Sequence, residues 1–229
     1  MRLDKFVAKS ADIPRSSAKK WIRSGLVSVD QNICKSASLL ISDQQSIELS
    51  GNPLSYLRQQ YILLNKPKGY ICSTKDEQYP SALNLLTTNS LTKLHFAGRL
   101  DVETSGLVLI SDDGQWTHRV TSPRYLHKKT YIVTTSEAVS DAQQQKLTTG
   151  VMLNDSDKAT LPAHIEIIDK NTLSLTITEG RYHQVKRMLA AVGNHVIGLH
   201  RHSIGRLIIN EKISAGDWRY LTEEEKNWF

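Results

Sequence analysis

Residues 98–110, GRLDVETSGLVLI, decide the fold of the longer part of this chain. Residues 106–110 are a continuous apolar run, which predicts a buried strand, and the polar segment before them predicts a connection between two strands. Asp101 lies on this connection, where a rigid scaffold can present a single carboxylate. Two interpretations stay open here, because an aspartate at such a position also serves as a turn former. In an extended chain Glu103 points to the opposite face, so the two carboxylates do not suit a glycosidase-type pair.

A second informative stretch is EGRYHQVKRMLAAVG at residues 179–193. Its apolar positions recur at helical spacing and predict a helix over Arg181–Val192, ended by a glycine. His183, Lys186 and Arg187 then lie at i, i+3 and i+4 on another face. A helix that presents such cations suits a polyanion or a buried carboxylate, although a solvated helix face gives the same pattern. His183 has no second ligand at a useful spacing, so the stretch does not indicate a metal site.

Outward from these two stretches, short strands and a few helices follow one another without regular alternation. The strand predictions are Tyr61–Asn65, Leu94–Ala97, Gly106–Ser111, Thr130–Thr135, Ala163–Ile168, Leu173–Thr178, His195–Leu199 and Leu207–Ile209. The helix predictions are Gln115–Val120, Asp141–Thr148, Arg181–Val192 and a last turn after Thr222, where Glu225 completes a capping-box pattern. This order predicts an α+β domain on a mixed, mainly antiparallel sheet with flanking helices. It disfavours a doubly wound nucleotide fold, and the sequence has no glycine-rich phosphate loop.

The amino-terminal part predicts a separate, small α/β unit. Leu3, Phe6 and Val7 recur at helical spacing, and a second helix opens at Pro14 and ends before Gly25. On that second helix the cations at positions 15, 19 and 23 recur every four residues and form a ridge, which a solvated helix face also explains. The turn-rich residues 50–53 are typical of a linker. We therefore place a boundary between positions 51 and 60, which gives domains of residues 1–58 and 59–229.

Charge is concentrated in the smaller of these two domains. The 229 residues carry 29 Lys and Arg against 23 Asp and Glu, a formal net charge of +6. Residues 1–58 hold nine basic and five acidic residues, hence +4, and residues 59–229 hold 20 and 18, hence +2. This distribution favours a polyanion as partner. No apolar run is long enough for a membrane span, no signal peptide is visible, and Cys34 and Cys72 do not form a zinc or disulfide pattern.

Two groups of motifs in the sequence resemble known families. Four stretches of the first domain resemble the small RNA-binding domain named after ribosomal small-subunit protein four: RLDKF at 2–6, RSSA at 15–18, IRSGLVSVD at 22–30 and DQQSIEL at 43–49. That family often has Asn-Gly where this chain has Asp30-Gln31, so we expect a looser hairpin there. Four stretches of the second domain resemble the signature motifs of pseudouridine synthases: GRLD at 98–101, TSGL at 104–107, KTY at 129–131 and RYHQVKR at 181–187. Together they resemble the ribosomal-RNA branch of the synthase family.

The resemblance implies a reaction and a set of residues for it. A uridine within RNA is isomerised: its glycosidic bond breaks, the uracil turns, and carbon five rejoins the ribose, without metal or nucleotide cofactor. Asp101 would act at the ribose, Lys186 would keep this carboxylate ionised, and Tyr131 would lie against the base. Ile177 would line the base slot, and Arg99 would open the base stack or hold phosphate. The further substrate-binding residues implied are Arg181, His183 and Arg187, and the RNA-binding residues of the first domain are Arg2, Arg15, Lys19 and Arg23.

The resemblance also implies a substrate. We expect a uridine of 16S small-subunit ribosomal RNA, at position 516, presented as free RNA or in an immature 30S particle. The same reaction on a large-subunit (23S) uridine is the alternative. A non-catalytic ribosome-assembly factor that binds RNA would leave the second domain without a purpose. A cytoplasmic monomer that does not contact a membrane is expected.

Overall fold

The computed structural model describes residues 1–42, 44–54, 59–87, 94–154 and 156–229. The chain divides into two compact units, Met1–Arg58 and Gln59–Phe229. Asp43 of the fourth amino-terminal motif and residues 55–58 of the expected boundary region lie outside the described residues. The expected α+β fold is confirmed, with helices flanking a mixed sheet in the larger unit.

The smaller unit packs two helices against a four-stranded sheet. Its elements are α1 (Leu3–Ser10), α2 (Arg15–Arg23), β1 (Val27–Val29), β2 (Asn32–Ile33), β3 (Ile47–Leu49) and β4 (Asn52–Pro53), with sheet order β2-β1-β3-β4. The apolar positions that predicted the helices form the core, in which Leu3, Val7, Ala18 and Ile22 are fully buried. Burial of this stripe fixes both helices on the sheet.

Two expectations for the turns of this unit are wrong. Asp30 and Gln31 have φ values of 49° and 67° and join β1 to β2 as a two-residue turn, so the hairpin is tight without an Asn-Gly pair. The Asp30 carboxylate supports it by accepting hydrogen bonds from Ser46 N at 2.9 Å and Gln45 Nε2 at 3.0 Å. Residues 50–53 are not a linker, because Ser50 and Gly51 form a second tight turn that leads into β4.

The larger unit is built on a nine-stranded sheet. Its strands are β5 (Tyr61–Lys66), β6 (His95–Ala97), β7 (Ser105–Ser111), β8 (Lys129–Thr135), β9 (His164–Asp169), β10 (Thr172–Ile177), β11 (Val196–Ile204), β12 (Leu207–Ile208) and β13 (Trp218–Tyr220). The order is β13-β5-β7-β11-β8-β10-β9, with β6 paired to β7 and β12 to β11. Within the described residues every pairing is antiparallel except β7 with β11.

In the described residues four α-helices, α3 (Gly114–Thr121), α4 (Asp141–Thr149), α5 (Gln184–Ala191) and α6 (Glu223–Lys226), accompany this sheet, with two short 3-10 helices at Ala82–Leu85 and Pro123–Tyr125. The capping box predicted from Thr222 and Glu225 is present at the start of α6. Helix α5 begins three residues later than predicted, because His183 has a left-handed backbone with φ of 48° and cannot continue a helix. Strand β11 runs five residues beyond its predicted end at Leu199, through a polar segment that the apolar pattern did not include.

Gly106 sets the distance between the two parallel strands. Its φ is +113°, and a Cβ atom at this position would collide with the backbone carbonyl oxygen and amide nitrogen of Arg201 on β11. Only glycine therefore permits β7 to approach β11 so closely. The close approach holds the connection that carries Asp101, which enters β7, against the middle of β11.

An ion-pair network organises the start of the smaller unit. The fully buried carboxylate of Asp4 accepts from Arg2 at 3.1 Å and from Arg15 at 2.7 Å. These hydrogen bonds to the two guanidinium groups hold the pKa of Asp4 far below its usual value. Two of the four cations expected to bind RNA are thus occupied with neutralising a buried carboxylate.

The substitution Asp4→Asn should destabilise the smaller unit at pH 7 by about 1–2 kcal/mol, since it removes charged hydrogen bonds to two half-exposed arginines. The native carboxyl binds its proton more weakly than the unfolded one, so its contribution is complete above pH ~4 and declines as the pH falls further. Hydrogen exchange of α1 and α2 amides measures this difference. Asp157→Asn, an exposed change in the other unit, is the control. A pH-independent difference between wild type and Asp4→Asn would contradict the ion-pair account.

Candidate active site

A cavity of about 210 Å³ lies beside the connection that leads into β7. The segment of residues 97–104, strands β8, β10 and β11, and the residues around the start of α5 form its walls. The volume is below the ~300–1,000 Å³ of typical ligand clefts, so the cavity suits one small planar group rather than a large cofactor. It brings together seven of the eight residues predicted for this unit's site: Arg99, Asp101, Tyr131, Ile177, Arg181, His183 and Lys186.

Asp101 forms an ion pair with Lys186 and a second close contact with His183, both from the start of α5. Its Oδ2 lies 3.1 Å from Lys186 Nζ, and its Oδ1 lies 3.2 Å from His183 Nε2. The Asp101 carbonyl also accepts a hydrogen bond from Thr104 N at 3.0 Å, so the residue opens a turn. Both interpretations left open by the sequence therefore hold, because the backbone makes the turn while the carboxylate lines the cavity. The side chain is 29% exposed, which leaves it accessible to a ligand.

The residues before α5 explain how His183 reaches Asp101. His183 precedes α5 with a left-handed backbone, and both His183 and Lys186 line the cavity and contact Asp101 as a shared face predicts. Arg187 does not line the cavity, so the predicted arrangement is wrong for that residue. Tyr182 is 72% exposed, and its ring stacks on the His183 ring with centroids 3.7 Å apart. The stack orients the imidazole and presents a flat aromatic face to solvent next to the cavity.

Neighbouring strands form the wall of the cavity that lies on the sheet. Tyr131 on β8 is 8% exposed and pairs across the sheet with Leu175 on β10 and Arg201 on β11. Ile177 is buried and lies opposite Lys129. Burial lowers the pKa of Lys129, and the nearby Arg201 lowers it further. An aromatic ring, an aliphatic side chain, the half-buried Lys129 and the buried Arg201 therefore lie side by side on one face of the sheet.

Three predicted arginines have different surroundings. Arg99 is exposed at the rim of the cavity. Arg181 pairs with Glu179 at 3.1 Å and donates to Ser156 Oγ and to the carbonyls of Lys158 and Ala159, so it anchors the loop before β9. Arg187 is not among the cavity-lining residues, and it donates to the Tyr182 carbonyl at 3.0 Å. The cavity therefore does not support substrate contact by Arg187.

Several cavity residues were not predicted from the sequence, namely Thr104, Lys129, Glu179 and Arg201. Glu179 accepts from Arg181 and from Gln184 Nε2 and links the end of β10 to α5. Lys66, fully buried nearby, donates to the carbonyls of Pro67 and Tyr70, and burial lowers its pKa. A charged residue within a strand, such as Arg201 between Leu199 and Ile204, is the sequence signal that could have revealed this group.

The amino-terminal cations separate into two pairs. Arg2 and Arg15 bind Asp4, whereas Lys19 is half-buried and Arg23 is exposed on α2. For the residues described, no group of three or more potential metal ligands occurs, and no helix is long and apolar enough to cross a membrane.

Comparison with known proteins identifies both units. The family described as RNA pseudouridylate synthase matches residues 60–191, and the S4 domain matches residues 1–46. The chain therefore belongs to the RNA pseudouridylate synthase family, whose members are isomerases. It is 46% identical to ribosomal small subunit pseudouridine synthase A of Escherichia coli K12, over 98% of both chains. The Haemophilus influenzae protein of the same name is 45% identical over 98% of this chain and 97% of its own.

The fold agrees with this family. A crystal structure titled as a pseudouridylate synthase superposes with a TM-score of 0.71 and 44% sequence identity, and covers 99% of this chain and 98% of its own. The family resemblance and the fold predicted from the motifs are thus confirmed. The roles of individual residues stay predictions.

Lys186→Met should lower the rate of uridine isomerisation by about 10- to 100-fold, because it removes a charged hydrogen bond to Asp101 worth about 1.5–3 kcal/mol. Lys128→Met, an exposed lysine that the cavity does not include, should leave the rate unchanged. Single-turnover assays at saturating RNA compare the two variants. If the two variants lose the same amount of rate, Lys186 does not act on Asp101 as predicted.

Proposed function

We propose that this protein converts one uridine of 16S small-subunit ribosomal RNA to pseudouridine, at the position corresponding to 516. The observation that carries the proposal is the Asp101 carboxylate, held by Lys186 and His183 at the edge of a small cavity that has Tyr131 and Ile177 at its base. The relatives named for the small subunit, similar over 98% of this chain, support the choice of RNA.

The cavity residues suit the steps of this isomerisation. The target uridine leaves its stack, at a cost of a few kcal/mol, and enters the cavity. The Asp101 carboxylate acts at the ribose, as nucleophile at the anomeric carbon or as base on a ribose proton, and the ion pair with Lys186 holds it in position. Tyr131 stacks on the detached uracil while it turns, and its hydroxyl is available for proton transfer. Ile177 excludes water from the base, and Arg99 holds phosphate at the rim.

The small unit supplies RNA affinity in this proposal. Lys19 and Arg23 project from α2 without the buried carboxylate that occupies Arg2 and Arg15. Phosphate contacts by such cations release counterions and provide binding free energy that offsets the cost of extruding the uridine. Arg2 and Arg15 then orient α1 and α2, and their direct RNA contact stays a prediction.

The choice of RNA can be tested with purified protein on immature 30S particles and, separately, on 23S RNA. We expect pseudouridine only in 16S RNA, at position 516. Modification of 23S RNA alone would favour the alternative large-subunit target. Asp101→Asn should slow the release of tritium from carbon five of uridine by at least about 10³-fold, the scale for loss of an essential nucleophile or base. Release at the wild-type rate would exclude Asp101 from the chemical step, whereas no release by the wild-type protein would indicate a non-catalytic RNA-binding protein.

Lys19→Ala with Arg23→Ala should weaken binding to the natural substrate and lower the slope of log affinity against log salt by about 2. The rate at saturating RNA should not change, because the chemical residues lie in the other unit. Lys170→Ala with Lys212→Ala removes two exposed lysines of that other unit as a control. A salt slope that changes equally in both double variants would refute a specific role for α2.

We further propose that the protein works as a monomer in the cytoplasm, with ribosomal RNA or an assembling small subunit as its partner. The absence of a nucleotide cofactor and of a resident metal stays a prediction. Sedimentation of the protein with and without substrate RNA measures the stoichiometry, and a dimer would overturn the monomer expectation.

A further inference from the structure

Arg201 is a buried cation at the cavity that the proposed roles leave unused. Arg201 is only 3% exposed and lines the cavity. Nε donates to the Leu107 carbonyl at 2.7 Å, and Nη1 donates to the Arg99 carbonyl at 3.4 Å. Nη2 is buried without a hydrogen-bond partner among the described residues. A guanidinium with an unpaired donor in a low-dielectric site is costly, which indicates that a ligand completes it.

The charges around the cavity point to an anionic ligand. Five basic residues, Arg99, Lys129, Arg181, Lys186 and Arg201, line the cavity against the two carboxylates of Asp101 and Glu179. The carboxylates pair with Lys186, His183 and Arg181, and Arg201 forms no ion pair within the described part of the chain. Arg99 lies at the exposed rim, where a phosphate can reach it, whereas Arg201 is inside. A buried positive charge without a partner suits a negative charge that arises inside the cavity.

The position of Arg201 indicates which part of the substrate it lies next to. It pairs directly with Tyr131 across β8 and β11, and side chains of such opposed residues lie on the same face about 4.5–5.5 Å apart at Cβ. Thr104 provides a second unpaired group in the same wall, since its buried Oγ1 also lacks a partner among the described residues. Two unused donors therefore lie beside the ring that is proposed to stack on the uracil.

We propose that Arg201 stabilises the uracil anion that forms when the glycosidic bond breaks, with Thr104 as a second donor to the ring. This inference rests on the proposed isomerase function. When the C1′–N1 bond breaks, both electrons stay with the uracil, and the charge spreads over N1, O2 and O4. If Asp101 is the nucleophile, its bond to C1′ breaks as carbon five bonds to C1′; if Asp101 is the base, it returns the ribose proton in this step. Carbon five then gives its own proton to solvent. The guanidinium is held by two backbone carbonyls, so it is preorganised and need not reorient as the charge develops.

The test uses a leaving group of altered acidity. Fluorine at carbon five withdraws electrons and stabilises the detached anion, so 5-fluorouridine in the RNA should depend less on Arg201. We expect Arg201→Met to lower the single-turnover rate on uridine RNA by about 10²- to 10³-fold, the effect of losing one oxyanion donor. In 5-fluorouridine RNA carbon five has no proton to lose, so the reaction stops at the isomer whose carbon five bears both fluorine and C1′. The rate at which 5-fluorouridine is consumed, followed by chromatography of the digested RNA, should show a loss at least about tenfold smaller. Asp101→Asn should abolish both reactions.

Control variants separate this role from a structural one. Arg219→Met removes an arginine that pairs with Glu225 outside the cavity and should leave both rates unchanged. Arg201→Lys keeps the charge, so its rate loss should be smaller than that of Arg201→Met, and again greater on uridine RNA than on 5-fluorouridine RNA. If Arg201→Met does not fold, Arg201→Lys is the variant used for the test. Equal losses on the two RNAs would show that Arg201 merely holds the segment of residues 99–107 in place. A raised KM with unchanged kcat would show a phosphate contact; either result overturns the inference.

Failure of the proposed function gives a different result. If the wild-type protein forms no pseudouridine in 16S RNA, the function fails before any variant is compared. If the wild type is active and Arg201→Met remains as active on uridine RNA, only the inference about Arg201 is wrong.

Discussion

The electrostatic partnership between Asp101 and the residues at the start of α5 is the constraint on which the rest of this structure depends. The Asp101 carboxylate lies 3.1 Å from Lys186 Nζ and 3.2 Å from His183 Nε2, and both of these residues come from a segment far along the chain. The sheet must therefore bring the connection before β7 to the start of α5. The close β7–β11 pairing at Gly106, the left-handed His183 and the anchoring of the preceding loop by Arg181 all serve this approach.

Positive charge has three distinct uses in the molecule. Arg2 and Arg15 are stabilising partners of a buried carboxylate, Lys19 and Arg23 remain available on the surface of the small unit, and Arg201 is buried at the cavity. The formal net charge of +6 does not distinguish these uses. Burial and pairing do, because a cation bound to a carboxylate contributes little to the binding of a polyanion.

Much of the fold could be predicted, because apolar periodicity reports burial directly. Eight of the nine strands of the larger unit, the two amino-terminal helices and the capping box at Thr222 follow from local patterns, and the structure confirms them. The short edge strand β13 was not predicted. The pattern failed where a polar residue is buried or where the backbone takes a rare conformation. The second half of β11 was not predicted because the segment around Arg201 is polar. The start of α5 could not be located because no sequence pattern shows that the His183 backbone is left-handed. For the same reason the sequence did not show that the turns at residues 30–31 and 50–51 are tight.

By itself, the sequence determined the fold class, the family and most of the residues that meet at the cavity, because these follow from motifs and apolar spacing. Only the tertiary structure decided what each charge does. It separated Arg15 from Lys19 on one helix by giving the former a buried partner. It brought Arg181 into a supporting role, left Arg187 outside the cavity, and placed Arg201 beside Tyr131. The physical reason is that the effect of a charge depends on its distance from other charges and on its exposure to water, and both quantities are set by contacts between segments distant in the chain.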